Sequence, residues 1–394
     1  MPPLDGRRIW FVGIGGAGLS AYAAIAAAWG AQVGGWDRVD TPYLAALRER
    51  LDVVIGPAPV VRDGWEVVVS SAWAGHVSGR SRAAFLAELV SLREAIVVAG
   101  AHGKTTTTGM IAYVLSRLGR DPAYAIGGEI PQLGGNAAAG DGWFVVEGDE
   151  SDRTIAALRP KIAIVLNVEL DHHTEFASLA EVQALFDEWL EHVPHVVRAE
   201  TLAPVDFPLL VSGEHNRVNA AAALAALEHA GVPREEAMPH VAAYRGASRR
   251  FEFRGEAGGV RVFDDYAHHP TEIAATLATA REGGARRVLV LFQPHLYSRT
   301  RHLAPELGEA LAAADAVAVA DVYAAREQQE DGAAGRLVVH AVADAQHGAQ
   351  VAWMPAIEDG ARWLAGLAAP GDIVLTIGAG DVDRAVPLLL EALD

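Results

Sequence analysis

The sequence predicts an α/β protein with parallel sheets along its whole length. Short runs rich in β-branched residues alternate with Ala- and Leu-rich stretches of helical length from end to end. Two apolar runs pass directly into glycine-rich turns and then into helical stretches, at residues 8–29 and 96–119. A strand, a glycine turn and a helix in this order form the unit that binds phosphate groups in parallel α/β folds.

Composition limits the class of protein. A chain of 394 residues is too long for one ordinary core and fits two or three domains. The net charge of −18 argues against nucleic acid or an anionic membrane as a partner. Cysteine is absent, which excludes disulfides, thiolate metal sites and cysteine nucleophiles.

The apolar runs are too short for a membrane span. None approaches the roughly 18 apolar residues that a membrane helix needs. The first apolar run breaks at glycines and lacks the layout of a signal peptide. The sequence therefore predicts a cytoplasmic protein that has no membrane partner.

Three blocks follow one another along the chain. The first has a predicted helix at 19–29 and strands at 8–13, 32–36 and 66–70. The second has a helix at 216–230, an irregular segment over 192–212, and strands at 96–99, 143–147 and 162–167. The third has strands at 260–264, 287–292, 316–320 and 373–377. We expect three domains, at 1–95, 96–246 and 247–394.

The turn after the predicted strand at 96–99 has the composition of a phosphate-binding loop. Glycines let the backbone N–H groups face phosphates, and the following helix adds a partial positive charge. A lysine there reaches the β- and γ-phosphates, and the next hydroxyl binds Mg²⁺. The strict motif is not met, since Val98 stands where it requires glycine. We predict an ATP site at Gly100, Ala101, His102, Gly103, Lys104, Thr105 and Thr106.

Acidic and imidazole side chains follow two later strands of the second block. Glu147 begins an acidic run after the strand at 143–147, and His172 lies shortly after the strand at 162–167. Parallel sheets bind ligands at the carboxyl ends of their strands, and Mg²⁺ prefers oxygen ligands. These residues suit a site for two cations beside the phosphate loop.

The N-terminal turn matches the dinucleotide-binding pattern G-x-G-x-x-G. Its residues 13–18 follow a strand and precede a helix, and Asp37 ends the next strand at the spacing of a ribose contact. The pattern selects a diphosphate with a ribose nearby, so both NAD and a UDP-sugar satisfy it. The predicted diphosphate contacts are Gly15, Gly16, Ala17 and Gly18.

Several segments together resemble the Mur ligase family, and most closely its alanine-adding branch. They occur in the family's order and span nearly the whole chain. The segments are GIGGAGLSA at 13–21, GAHGKTTTT at 100–108, VVEGDESD at 145–152, NVELDHH at 167–173, GEHNRVNAAAA at 213–223, RRFE at 249–252, DDYAHHPTEI at 264–273 and FQPHLYSRTR at 292–301.

The resemblance implies three domains, a Rossmann-like one for a UDP-sugar, a central P-loop ATPase-like one and a Rossmann-like C-terminal one that presents an amino acid. It implies a ligase of peptidoglycan synthesis that uses ATP and Mg²⁺ to activate the lactyl carboxylate of UDP-N-acetylmuramate as an acyl phosphate. The amine of L-alanine then attacks, and phosphate leaves. Monomer and homodimer both remain open.

The resemblance also assigns roles to individual residues. Lys104 neutralises phosphate charge, Thr105 and Glu147 hold the first cation, and His172 helps to hold the second. Ser20 and Ser71 join the UDP-sugar contacts. Asn216 is the candidate for the ATP base, Arg250 for a phosphate and Asp265 for the ribose. Helix capping is an equally good interpretation of Asn216. The candidates for alanine are Tyr266, His268 and Arg299, the last as a carboxylate clamp.

The sequence departs from the family in places, and alternatives stay open. Leu296 stands where the alanine-adding branch usually carries arginine, and segments near 53–63, 72–83 and 193–211 are short. A recycling ligase that attaches a preformed peptide to the same sugar fits most of the motifs. An NAD-dependent oxidoreductase fits the N-terminal glycines but leaves the phosphate loop unexplained. The fourth hypothesis is a non-catalytic binding module whose state is controlled by a nucleotide.

Overall fold

The first 91 residues fold into a parallel sheet with helices beside it. The computed structural model describes residues 1–170, 175–325, 327–328, 333–346, 348 and 350–394. The elements are β1 (Arg8–Val12), α1 (Ala17–Ala28), β2 (Gln32–Asp37), α2 (Pro42–Arg48), β3 (Asp52–Ile55), β4 (Glu66–Val69), β5 (Arg80–Ser81) and α3 (Arg82–Ser91). The strand order β3-β2-β1-β4-β5, all parallel, follows the Rossmann order 3-2-1-4-5.

The next part of the chain builds a second sheet. Its elements are β6 (Ala95–Ala99), α4 (Lys104–Arg117), β7 (Ala123–Ile130), β8 (Gly135–Ala139), β9 (Phe144–Glu147), β10 (Ile162–Val165), α5 (Leu179–Leu190), β11 (His195–Arg198), α6 (Glu214–His229) and α7 (Arg234–Ala242). The strand order is β11-β10-β6-β9-β7-β8. β6 is buried along its whole length between β10 and β9, which places the phosphate loop at the middle of the sheet.

The C-terminal part forms a third sheet that is covered on both faces. Its elements are β12 (Glu252–Ala257), β13 (Val260–Asp265), α8 (Pro270–Glu282), β14 (Val288–Phe292), α9 (Tyr297–Leu311), β15 (Ala316–Val319), α10 (Ala333–Ala345), β16 (Gln350–Trp353), α11 (Ile357–Leu367), β17 (Ile373–Ile377) and α12 (Ala385–Leu393). Alternate residues of β14 belong to two separate apolar clusters, one with α8 and α9 and the other with α11 and α12. Two-sided burial explains why this strand is an unbroken apolar run.

The chain divides into two compact units. The first contains residues 1–170, 178–210 and 217–247, and therefore both the first and the second sheet. The second contains residues 171–177, 211–216 and 248–394, with the third sheet. The predicted α/β class with three sheet-based parts is confirmed. The boundary predicted near residue 95 lies inside the first unit and stays a prediction.

The expectation of parallel strands throughout is wrong at two hairpins. β7 and β8 pair antiparallel, as do β12 and β13. Their connections, at residues 131–134 and 258–259, are too short for the crossover that parallel strands require. The segment at 192–212, predicted to be irregular, contains β11, a short edge strand beside β10. Among the described residues, no helix is both long and apolar enough to cross a membrane.

Candidate functional site

The phosphate loop is shaped by two glycines in the left-handed region. Gly103 precedes α4 with a φ of +84°, and a Cβ on it would lie 2.8 Å from the Asn219 Oδ1. Gly100 has a φ of +136°, and a Cβ there would lie 2.9 Å from the backbone of Asn167. The Asn167 side chain accepts from the His102 N–H at 2.8 Å and donates to the His102 carbonyl at 3.1 Å. The loop is therefore held open, with the N-terminus of α4 behind it, as an anion cradle requires.

Lys104 lies inside this cradle among carbonyls and acids. Its Nζ donates to the Gly100 carbonyl at 2.5 Å and to both Glu150 oxygens at 3.0 and 3.2 Å. Burial lowers the pKa of the ammonium, but Glu150 and Asp149 outweigh it and keep the pKa above its ordinary value. Lys104 is thus a fixed positive charge at the loop, and anionic phosphates are the ligands it suits.

The two residues predicted to hold the first cation converge on β7. The Glu147 Oε1 accepts from the Gly127 N–H at 2.7 Å, and a Cβ on Gly127 would lie 3.0 Å from its Oε2. A Cβ on Gly128 would lie 3.2 Å from the Thr105 Cγ2. Gly127 thus leaves room beside the Glu147 carboxylate, and Gly128 leaves room beside the Thr105 side chain. Carboxylate and hydroxyl oxygens are donors that fit Mg²⁺. His172, predicted for the second cation, lies outside the described residues.

The N-terminal glycine loop is braced by the residue predicted to contact a ribose. The Asp37 Oδ2 accepts from the Gly15 N–H at 2.7 Å, and the Thr41 hydroxyl donates to the Gly15 carbonyl at 2.8 Å. Gly13 has a φ of +82°, and a Cβ there would lie 2.3 Å from the Ser70 Oγ. Asp37 therefore shapes the loop in addition to any ribose contact.

The start of α1 follows this loop and contacts the second sheet. α1 begins at Ala17, and its N-cap residue Gly16 has no side chain to cap the helix. The Ala17 carbonyl accepts from the Asn136 Nδ2 at 3.2 Å. The buried Ser20 hydroxyl donates to the same carbonyl at 2.9 Å. The structure gives Ser20 a bond within the helix, and its substrate contact stays a prediction.

Arg82 is a residue that sequence reasoning missed. Its Nη2 donates to the Asp149 Oδ2 at 3.0 Å and lies 3.4 Å from the Asp152 Oδ2. Burial alone would raise the pKa of Asp149, but Lys104 and Arg82 lower it to about 2. The Ser71 hydroxyl, predicted to contact the substrate, also donates to the Asp152 Oδ2 at 3.2 Å. Arg82 begins a helix, and the only signal available in the sequence was the basic side chain itself.

The candidates for the ATP base, phosphate and ribose all make hydrogen bonds to other groups of the protein. The Asn216 Nδ2 donates to the Ser212 carbonyl at 2.7 Å from the third residue of α6. The Arg250 Nη1 donates to the Glu272 Oε1 at 3.1 Å. The buried carboxylate of Asp265 accepts from three donors, the N–H groups of Phe251 and Ala267 and the Thr276 hydroxyl. Burial raises the pKa of Asp265 to about 6.

The alanine candidates form a row of rings at the carboxyl edge of the third sheet. The His268 ring lies 5.8 Å from that of Tyr266 and 5.9 Å from that of His295. His295 stacks on Tyr323 at 6.0 Å, and its Nδ1 lies 3.1 Å from the Nη1 of the buried Arg299. Candidates from two separate segments are thus brought together, because His295 links Arg299 to His268 and Tyr266.

The departure at Leu296 has a structural consequence. Leu296 precedes α9 with a φ of +67°, a region that leucine seldom adopts. Its side chain is buried, and its N–H donates to the Tyr323 carbonyl at 3.0 Å. In place of an arginine, an apolar side chain therefore lies before the helix that carries Arg299.

Comparison with known proteins gives full-length similarity. A UDP-N-acetylmuramate–L-alanine ligase of Streptomyces coelicolor is 41% identical, and the alignment covers 98% of this chain and 97% of that protein. The structure of the UDP-N-acetylmuramate–alanine ligase of Thermotoga maritima matches with a TM-score of 0.78 at 25% identity over 98% of both chains. A murein peptide ligase of Psychrobacter arcticus matches with a TM-score of 0.67 at 25% identity over 98% of this chain and 99% of that one.

Two family domains are also recognised in the sequence. Residues 98–201 match the Mur ligase middle domain, which begins inside β6 and includes the phosphate loop. Residues 249–380 match the glutamate ligase domain of the Mur ligases, which contains the row of rings and Arg299. With full-length relatives at 41% identity as well, the chain belongs to the Mur ligase family.

Proposed function

We propose that this chain is an ATP-dependent ligase that joins L-alanine to the lactyl carboxylate of UDP-N-acetylmuramate, in the synthesis of peptidoglycan. The observation that carries the proposal is the presence of two nucleotide-type loops in one compact unit. The phosphate loop around Lys104 and the glycine loop at Gly15 both belong to that unit. A reaction between a triphosphate and a group on a second nucleotide needs this pairing.

The first step transfers the γ-phosphoryl group to the lactyl carboxylate. A carboxylate oxygen bonds to the γ-phosphorus, and the bond from that phosphorus to ADP breaks. This gathers many negative charges, so fixed positive charge at the loop lowers the barrier. Lys104 supplies that charge, and the helix N-terminus behind Gly103 adds to it.

Mg²⁺ would supply further charge neutralisation to the phosphates. Thr105 and Glu147 are the residues proposed to hold it, because Thr105 follows Lys104 at the start of α4 and the Gly127 N–H fixes the Glu147 carboxylate. His172 is proposed for a second cation. Asn216, Arg250 and Asp265 remain proposals for the ATP base, phosphate and ribose.

The second step forms the amide bond. The alanine amine attacks the acyl carbon, its nitrogen loses a proton, and inorganic phosphate leaves. We assign the alanine carboxylate to Arg299, since a guanidinium pairs with a carboxylate through two hydrogen bonds. Tyr266 and His268 line the proposed amine site, and His268 is the proposed acceptor of the proton.

The proposal is tested by an acceptor panel. Purified protein is incubated with ATP, Mg²⁺, UDP-N-acetylmuramate and either L-alanine or a preformed tripeptide, and the products are identified by mass. We expect ADP, phosphate and the alanyl product with alanine alone. Formation of ADP without any new amide would contradict the proposal, and so would hydride transfer to NAD in a parallel assay.

A recycling ligase is the second candidate, favoured by one observation. The murein peptide ligase of Psychrobacter arcticus is as similar in sequence, at 25% identity, as the alanine ligase of Thermotoga maritima. The tripeptide arm of the panel decides between them, since a recycling enzyme would use the peptide and leave alanine unused. Because ATP and the sugar nucleotide are made in the cytoplasm, we place the protein there, as a monomer or homodimer.

A further inference from the structure

Arg82 lies between the N-terminal glycine loop and the acidic run that follows β9. One arm of its guanidinium, Nη2, contacts Asp149 and Asp152. The other arm faces the glycine loop, because a Cβ built on Gly18 would lie 3.3 Å from Nη1. The side chain is 23% exposed, so it is mostly enclosed but still reachable from solvent.

The arm that faces the glycine loop makes no hydrogen bond to the part of the chain that the structure describes. Among the described residues, Nη1 has no hydrogen-bond partner, and the buried Nε has none either. Enclosed guanidinium donors normally have acceptors, and leaving them without one is costly. The N-cap residue of α1 is Gly16, which has no side chain to cap the helix. The Nη1 donor therefore lies beside the first turn of α1, next to Gly18, without an acceptor among the described residues.

We propose that Arg82 is a substrate-binding residue that holds the diphosphate of the uridine nucleotide through Nη1. The assignment rests on the proposed function and adds to it a residue from outside the glycine motif. The two aspartates fix the guanidinium through Nη2, so its orientation is set before the nucleotide binds. Arg82 also places positive charge between an anionic ligand and these two acids, which lowers their repulsion.

A diphosphate is the ligand chemistry that this position favours. Nη1 lies next to Gly18, in the first turn of α1, and the N-terminus of a helix is where nucleotide phosphates bind in this type of fold. The lactyl carboxylate is also an anion that Arg82 could bind, but among the three test ligands only UDP-N-acetylmuramate carries it. Comparing ligands with and without the lactyl group therefore shows whether Arg82 binds the diphosphate or the lactyl carboxylate.

The test measures binding of UDP, UDP-N-acetylglucosamine and UDP-N-acetylmuramate by calorimetry. Wild type is compared with Arg82→Met, Arg82→Lys and the matched control Arg80→Met. Arg80 lies two residues away and is paired with Glu88. We expect Arg82→Met to weaken the binding of all three ligands roughly tenfold or more, because a charge-assisted hydrogen bond is lost. Arg82→Lys should be intermediate, and Arg80→Met should bind like wild type.

Kinetics separate binding from a structural role. In the ligase assay, Arg82→Lys should raise KM for the sugar nucleotide while KM for ATP and the melting temperature stay near wild type. If Arg82→Met weakened the binding of UDP-N-acetylmuramate alone, the diphosphate assignment would be overturned. If its affinities for all three ligands were unchanged, Arg82 would have no role in binding. If the wild type binds none of the three nucleotides, the proposed function itself fails.

Discussion

Lys104 remains positively charged in a largely enclosed setting because acids compensate for its loss of hydration. Its side chain is 19% exposed, and that of its partner Glu150 is 4% exposed. Burial raises the pKa of Glu150, and the ammonium opposes that rise. Each charge is tolerated because the other is there. A phosphate that binds at Lys104 therefore meets a lysine already held in place by Glu150 and by loop carbonyls.

The Lys104–Glu150 pair predicts a difference between activity and stability. Lys104→Met should lower kcat by about 100-fold or more, since it removes the fixed charge at the phosphates. It should also destabilise the fold by roughly 3–5 kcal/mol, because Glu150 is left buried without its partner. Adding Glu150→Gln should restore most of the stability and none of the activity. Urea unfolding and steady-state assays check this, and a single variant with normal kcat would refute the role of Lys104.

Asp149 predicts a pH dependence of stability. Its pKa falls from 3.8 to about 2 in the folded protein, so the folded state holds the ionised form more strongly. The resulting stabilisation is complete above about pH 4 and is lost as the pH falls toward 2. The gap in unfolding free energy between wild type and Asp149→Asn should therefore shrink between pH 6 and pH 2.5. A gap that stays constant over this pH range would contradict the assignment.

At the scale of the element, α4 depends on the backbone conformation of the residue before it. Gly103→Ala would strain a φ of +84° and bring a Cβ to 2.8 Å from Asn219. We expect it to raise KM for ATP at least tenfold and to cost about 1–3 kcal/mol of stability. The control is Gly119→Ala, after the other end of α4, where φ is +67° and the space is open. It should cost about 1 kcal/mol and leave KM unchanged, and equal effects of both on KM would refute the loop argument.

Strands and helices with strong periodicity were predicted within a few residues, and short edge strands were not. The buried runs of β1 and β6 are apolar throughout, as expected of strands covered on both faces of a sheet. β8, the sequence Gly-Asn-Ala-Ala-Ala, carries no β-branched residue. Its strand conformation comes from hydrogen bonds to β7, a partner that no local pattern specifies.

At the scale of the whole molecule, the candidate residues divide between the two compact units. Lys104, Glu147 and Arg82 belong to the first, and Arg299 and His268 belong to the second. The alignment to the Streptomyces coelicolor relative spans 452 positions, although this chain has 394 residues. The relative therefore carries segments that this chain lacks, as the short segments had indicated. Both sets of candidate residues are nevertheless present.

This division predicts that single substitutions affect single substrates. Arg299→Met should raise KM for L-alanine tenfold or more, because it removes the proposed carboxylate clamp, with KM for ATP and the sugar nucleotide unchanged. The exposed Arg301, two residues along α9, provides the control Arg301→Met, which should behave like wild type. Steady-state kinetics with each substrate varied in turn provide the measurement. An effect on KM for ATP instead would show that Arg299 does not act on alanine.

The sequence by itself determined the α/β class, the two glycine loops and the family, because these depend on local periodicity and on motifs that lie within a few residues. The tertiary structure decided which side chains meet. Arg82 faces Gly18 and Asp149 only because β4, β5 and α3 bring it there, and Glu150 pairs with Lys104 across 46 residues of chain. Such contacts depend on strand order, and strand order is set by long-range packing that no short segment of sequence encodes.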